Sequence, residues 1–482
     1  MPSDPHLFDD EEAVAGPDDR DTVDTGRSSV DRADGGRPNY LFRRAVVVGG
    51  VVAVLATASI VIGQLIGNGS DDTASGALGA EWNRVVLIDD RTGRVLVDDA
   101  VGDEVARIES GIRSPSASAV VDSTLVLAGD GGISVIDVGD ESADEFEFGA
   151  DTIVRPAGSA LTMVAVGPDS THALVVHGPS GDVIDTNVPA PVVGAQYEFA
   201  DARAAPSGRH VLVTDSGNFQ SVLFSFGRDQ PSFFPGLALA VDDDRVVTAQ
   251  NVGSDATINV FDHEGEPVTT GRTASVRAGM IAGDRIVLVT VDGGIVDMSA
   301  SSGDTTDVGQ LEIGTVTSGV VATSGDRLVI AGAMGTAIVG ADGAVVATFD
   351  ELQPADAGRP PMGSTCVGLV TADDSAEPQV TIVDLTDGAA VAEANGTEPL
   401  LSDASGCVVA VTTAEGYDLL TGDGVHASEN GDRPIAVAPD GQWLVVERGR
   451  RIVLVPADAE QQPDTDPVDL GPLNRAVHFA QT

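Results

Sequence analysis

Short apolar stretches recur along this chain at an interval of about 40 residues, and that self-similarity restricts the fold more than any other feature. From Arg84 onward, runs of Val, Ile, Leu and Ala alternate with turns of Gly, Asp, Ser and Pro, the pattern of an all-β chain. Gly283-Asp284-Arg285-Ile286-Val287-Leu288 returns 42 residues later as Gly325-Asp326-Arg327-Leu328-Val329-Ile330, and Asp244-Arg245-Val246-Val247 precedes the first copy by 40. A second form opens on a turn: Pro439-Asp440-Gly441 before Trp443-Leu444-Val445-Val446, Pro206-Ser207-Gly208 before Val211-Leu212-Val213, and Pro168-Asp169-Ser170 before Ala173-Leu174-Val175-Val176. Further strands follow across tight turns, as in Val85-Val86-Leu87-Ile88-Asp89 before Arg94-Val95-Leu96, where glycine supplies the positive φ a hairpin needs. Four strands in about 40 residues make one propeller blade, which buries its apolar faces only by stacking on the next.

Two turns, Ala438-Pro439-Asp440-Gly441 and Val383-Asp384-Leu385-Thr386-Asp387-Gly388, resemble the "SPDG" and "V-D-x-x-T-G" turns of the WD40-like, YVTN-like and quinoprotein-like β-propellers. The resemblance covers roughly residues 81–480 and implies a propeller; it is uninformative about activity. With only Trp82 and Trp443, the chain lacks the repeated Trp that closes each quinoprotein blade, so no bound quinone, and no other cofactor, is implied. About nine groups of strands can be marked, and because single propellers mostly have up to eight blades the expectation is seven or eight, with one or two groups read as long insertions or as incomplete. The strands at Val85 to Asp89 and Arg94 to Val97 lack a first partner, which Arg475-Ala476-Val477-His478-Phe479 is placed to supply, closing the ring with the two chain ends and leaving fewer free edges.

Ala45 to Ile66 is a nearly unbroken apolar run of 22 residues, long enough as a helix, at about 33 Å, to span a bilayer. Arg43 and Arg44 precede it and no positive charge follows closely, so a retained signal anchor would leave residues 1–44 in the cytoplasm and residues 81–482 outside, joined by a flexible linker at 67–80. The rival is a cleaved signal peptide ending near Ala56-Thr57-Ala58, against which Ser59-Ile60-Val61-Ile62 continues the run. A helix buried in a soluble core has no core to enter between a tail and an all-β domain. The tail holds 11 acidic residues and 6 Arg among Pro, Gly, Ser and Thr, too few apolar groups to fold alone. Its hydroxyls at Thr22, Thr25, Ser28 and Ser29 suit a phosphorylated docking segment, although a merely solvating tail accounts for the same composition.

The formal charge of −49 comes from 75 acidic against 26 basic residues, every one of them Arg. Nucleic acid is disfavoured as a partner, because phosphate backbones need clustered Lys or Arg and the densest cluster, Arg448, Arg450 and Arg451, lies within a strand pattern. Such a surface suits a salt-rich medium; a GC-rich genome, which favours Arg over Lys, produces the same bias.

Cys366 and Cys407 stand one repeat apart at matching phase, which makes them a disulfide candidate in an oxidising compartment, with two buried thiols as the alternative. His172 and His177 share one repeat without a spacing that fixes them on one face, and Asp242-Asp243-Asp244 and Asp373-Asp374 lack the alternation of a calcium loop, so no metal site is implied. Asn68-Gly69-Ser70 and Asn395-Gly396-Thr397 match the glycosylation sequon, a triplet that arises often by chance. No catalytic motif appears and the catalytic residues are unknown. The reading is therefore a membrane-tethered propeller that binds or scaffolds a protein, peptide or glycan; the alternative is a hydrolase, lyase or oxidoreductase whose residues gather in the central channel.

Overall fold

Every described strand runs in a four-stranded antiparallel sheet, and there are ten such sheets. The structure is a computed structural model that describes residues 82–480 apart from connecting segments, the longest at 188–198, 355–364 and 458–466. The sheets follow one another along the chain: blade 2 spans 113–146, blade 3 152–187, blade 4 199–235, blade 5 237–274, blade 6 276–310, blade 7 316–350, blade 8 352–395, blade 9 397–428 and blade 10 433–472. Blade 1 takes its outer three strands from 84–109 and its innermost strand from Arg475–Ala480, which pairs in continuous antiparallel register from Arg84↔Ala480 to Asp89↔Arg475. The two ends of the propeller thus meet in one sheet, as the sequence anticipates. First strands of most neighbouring blades pack together around the centre; blade 8 meets the second and third strands of blade 7 with its first strand and blade 9 with its fourth, and the last blade touches the first, so the ring is closed. This is a β-propeller.

Its ten blades correct the expectation of seven or eight. None of the ten sheets is an insertion or incomplete: each has four strands, some with weak sequence signals. Blade 8 begins with the three residues Leu352–Pro354, and the second strand of blade 9 is only Val409–Thr412. The expected transmembrane segment at 45–66, the tail and the linker lie outside the described residues. Among the described residues no helix is long and apolar enough to cross a membrane.

The second and third strands of each blade read as near-continuous Val, Ile and Leu because both faces are covered by neighbouring blades. Val85, Val86 and Leu87 are fully buried, as are Ile286, Val287 and Leu288. The core is therefore a series of interblade layers, such as the one joining Val247, Ile258 and Val260 of blade 5 to Ile286, Leu288 and Val296 of blade 6. Fourth strands are half exposed and bulged. In six blades the register skips one apolar residue there: Val105, Val268, Val308, Val346, Val391 or Leu470. A bulge twists an open edge away from straight pairing, which guards ten outer edges against sheet-to-sheet association.

A second regularity ties blade to blade. The residue opening the second strand reaches over the seam to the following blade. Arg245 Nη2 donates to the Gly283 carbonyl at 2.6 Å, Arg285 Nη2 to the Asp342 carbonyl at 3.0 Å, and Arg327 Nε and Nη2 to the Leu385 and Thr386 carbonyls at 2.9 and 3.1 Å. The repeated Asp-Arg pair of the sequence is thus a latch. The same position carries His210, tilted against His263 of blade 5 with ring centroids 4.0 Å apart, and Trp443, edge-on to Trp82 at the ring closure with centroids 6.4 Å apart. At the seam of blades 8 and 9 it carries Cys366, bonded to Cys407 with Cα atoms 4.9 Å apart, so the disulfide is the covalent member of the series.

Candidate functional site

The innermost strands surround the channel, and their composition departs from the rest of the chain. They are built mainly from Ala, Val, Leu, Gly and Ser, as in Leu237–Val241, Val276–Ala282 and Val316–Val321. Small side chains let neighbouring inner strands approach. A methyl placed on Gly319 of blade 7 would lie 2.3 Å from the Ala278 Cβ of blade 6. The charge balance also inverts. Six of the 26 arginines stand in these ten strands (Arg113, Arg155, Arg203, Arg277, Arg433 and Arg475), against two of the 75 acidic residues, Asp201 and Glu398.

Near its start, the inner strand slips register against the second strand in seven blades. Such bulges turn a side chain out of the sheet alternation. In blades 6 and 7 the displaced residues are Arg277 and Thr317, both exposed, and Arg277 Nε donates to the Thr317 carbonyl at 2.7 Å. Blade 2 has the widest irregularity: between the pairs Arg113↔Asp130 and Ala117↔Ala128, three residues oppose Gly129 alone, and Ser114 within it has φ 44°. A non-glycine residue held there stores strain of about 1–3 kcal/mol, which the surrounding structure must enforce.

Four residues beyond Ser114 on the same inner strand, Ser118 meets the innermost strand of blade 1. Its Oγ lies 2.8 Å from His478 Nε2, and both side chains are partly buried. This is the geometry in which an imidazole takes a proton from a hydroxyl. It equally suits a hydroxyl that fixes an imidazole as a ligand donor. The two residues are 360 positions apart, and only ring closure brings them together.

The residues singled out from sequence are mostly structural. Asp242 caps its hairpin: Oδ1 accepts from the Asp244 and Arg245 amides at 2.9 and 2.6 Å, and Oδ2 from Arg245 Nη2 at 2.8 Å. Asp243 accepts a hydrogen bond from Ser207 Oγ of blade 4. His172 and His177 both lie in the strand Thr171–His177, while Asp373-Asp374 and Asn68 fall outside the described residues. Asn395 is exposed at the end of the last strand of blade 8. Arg448 lies half exposed and makes a bidentate pair with buried Asp432 at 3.0 and 2.6 Å, and Arg451 pairs with Asp469; these arginines are engaged within blade 10.

His210 sits in a perturbing environment. Burial, reinforced by the neighbouring His263 ring, holds its imidazole below the ordinary value, with Asp243 opposing. Its Nδ1 bonds Ser225 Oγ at 2.9 Å, and His263 Nε2 bonds the Asp242 carbonyl at 3.0 Å. Sequence reasoning missed this pair, Ser118–His478 and the inner-strand arginines. Aligning the blades on their inner strands would have exposed the last, since Arg opens the Ala- or Ser-rich strands at 113, 433 and 475.

The chain matches no protein-family model and no curated protein sequence. Among solved structures it is similar to AztD from Citrobacter koseri, at 14% identity over 83% of this chain and 98% of that one with a TM-score of 0.38. It is also similar to the computationally designed Ika8 protein (15% identity, 64% and 98% covered, TM-score 0.37) and to BamB from Moraxella catarrhalis (13% identity, 66% and 97% covered, TM-score 0.31). Likeness at this level adds nothing about what the chain does. The fold stands on its own strand order.

Proposed function

We propose that this chain is a binding or scaffold module: a propeller held outside the cell membrane by one N-terminal span, presenting its channel to a protein, peptide or glycan. The observation that carries the binding reading is the make-up of the inner strands, whose polar side chains are chiefly hydrogen-bond donors set among small aliphatic residues. Donors converging on a channel recognise acceptors on a ligand. The span at 45–66, with Arg43 and Arg44 on its cytoplasmic flank, supports the tethered placement. The Cys366–Cys407 bond supports an oxidising compartment for the propeller.

One observation favours a second reading, a channel enzyme using Ser118 as nucleophile and His478 as its base. A fluorophosphonate probe separates the two. The binding reading expects no covalent labelling of the full-length chain; adduct formation at Ser118 that His478→Ala abolishes would overturn it in favour of a hydrolase. Protease added to intact cells tests the tether, which requires the propeller to be digested and the tail spared; protection of the propeller would refute that topology.

A further inference from the structure

Nine large apolar side chains are exposed among the described residues, and they fall into two groups. Six are single residues of fourth strands, at the outer edges of blades 1, 4, 5, 6, 7 and 9. The other three, Phe219, Val252 and Met334, are the most exposed of the nine, at 74, 77 and 57%. They sit at the hairpins that join the second and third strands of blades 4, 5 and 7. In a four-stranded antiparallel blade this hairpin lies at the end of the sheet where the first strand begins, so all three tips share one face of the ring. A scattered exposed apolar residue needs no explanation, but the three most exposed ones on one face of four consecutive blades mark an interaction surface.

These tips are held in place. Phe219 has φ 51°, a left-handed conformation that Gly or Asn adopts readily and a bulky residue does not. Because most of its ring stands in solvent, packing does not offset that strain, and such strain is kept where a position matters. Backbone bonds fasten the tips to the connectors between blades. Gly236 N donates to the Phe219 carbonyl at 3.0 Å, Ser275 N to that of Ser254 at 2.8 Å, Met334 N to that of Ile313 at 2.9 Å, and Glu351 N to that of Met334 at 2.8 Å. A surface fixed in this way loses little freedom when a partner covers it.

From this face we infer a docking surface for a polypeptide whose binding segment carries apolar side chains interspersed with Arg or Lys. The inference rests on the binding reading; it adds a face at one mouth of the channel and gives the partner a chemistry. Around the tips stand Asp255, Asp292, Glu312, Asp350 and Glu351, all exposed and none in an ion pair among the described residues. Arg272 and Arg277 are the arginines at this end of blades 5 to 7, whereas the latch arginines Arg245, Arg285 and Arg327 open the second strands at the other end. Apolar anchors within an acidic surround select a cationic amphipathic chain: the apolar contacts supply affinity, and complementary charge guides approach and register. The same charge opposes other occupants. A second copy brings another formal charge of −49, and an anionic lipid surface is repelled likewise. The chain also enters the propeller at the opposite end of its first sheet, where Arg84 pairs with Ala480.

Fluorescence anisotropy of labelled synthetic peptides against the full-length chain tests the inference. A short peptide alternating Arg with Leu and Phe is expected to bind about tenfold or more tightly than one alternating Arg with Ser, and a Glu-for-Arg counterpart is expected not to bind. Equal affinity of the two Arg peptides would mean that charge alone is read and would overturn the surface. The double variant Phe219→Asn/Met334→Ser should weaken binding by about tenfold or more, whereas Val268→Ser, on an outer strand of blade 5, should leave it within about twofold. Because Asn tolerates positive φ, Phe219→Asn should melt no lower than wild type, which separates lost binding from unfolding. A marked fall in its melting temperature would give the Phe219 ring a packing role and overturn the assignment. Self-association in sedimentation that the double variant abolishes would assign the face to a second copy. Quenching, by brominated phosphatidylcholine, of a fluorophore attached through Val252→Cys in the reconstituted full chain would assign it to the bilayer. Either result overturns the proposed partner, and wild-type peptide affinity in the double variant overturns the surface itself; the labelling experiment at Ser118 remains the separate test of the binding reading.

Discussion

Arg448 and Asp432 show how single residues set local stability here. The Asp432 carboxylate is buried and both of its oxygens accept from the guanidinium, which in turn is held charged beyond its ordinary range by that bond. Replacing Asp432 by Ala removes a charge-assisted bidentate contact, and because Arg448 stays half exposed the loss should be about 2 kcal/mol, not the full cost of a stranded buried charge. Chemical denaturation of Asp432→Ala against wild type checks this; an unchanged midpoint would count against it. His210 behaves oppositely. Its folded-state pKa is depressed, so the unfolded chain takes up the proton first as pH falls. The His210 contribution is therefore intact above the ordinary histidine value of about 6.5 and is lost as pH drops through it. Melting temperature followed from pH 8 to 5 should fall more in wild type than in His210→Phe, which keeps the ring and removes the titration; parallel profiles would contradict the assignment.

Elements in this protein are defined by what they do at a seam. The repeated Asp-Arg pair was legible in sequence as a repeat, but its purpose was not. Arg245, Arg285 and Arg327 reach carbonyls 38, 57 and 58 residues away, distances that no local pattern encodes. The disulfide was legible because Cys366 and Cys407 sit one repeat apart at one phase, and stacking blades brings equal phases together. Closing that 41-residue loop contributes about 4 kcal/mol in the chain-entropy picture, so reduction should lower the melting temperature by several degrees, an effect that Cys366→Ser/Cys407→Ser should reproduce without a reductant. At the inner strands, Gly319→Ala should cost about 1–3 kcal/mol by forcing a methyl against Ala278, measurable as a lower denaturation midpoint. A variant as stable as wild type would show that the inner strands are less closely packed than described. Gly441, with φ 66° and the Val408 side chain 2.6 Å from where a Cβ would stand, makes the same argument for the turn between the first and second strands of blade 10.

At the scale of the whole molecule, the propeller and its mode of closure could be read from the strand spacing and from the unpartnered ends, whereas the blade number could not. Blades 8 and 9 contain a three-residue and a four-residue strand, segments too short to show a period of two, and they become blades only because neighbours supply the buried faces. The channel chemistry was hidden for a related reason: Ser118 and His478 meet only when the last strand completes the first sheet. Every functional argument made for the channel depends on that completion. Hydrogen exchange of the chain lacking residues 475–482, compared with the intact chain, examines it directly. Closure by the C-terminal strand requires that the amides of Arg84–Asp89 lose protection and that melting fall sharply, with recovery when a peptide of residues 475–482 is added. Unchanged protection of Arg84–Asp89 in the truncated chain would contradict the closed ten-bladed ring.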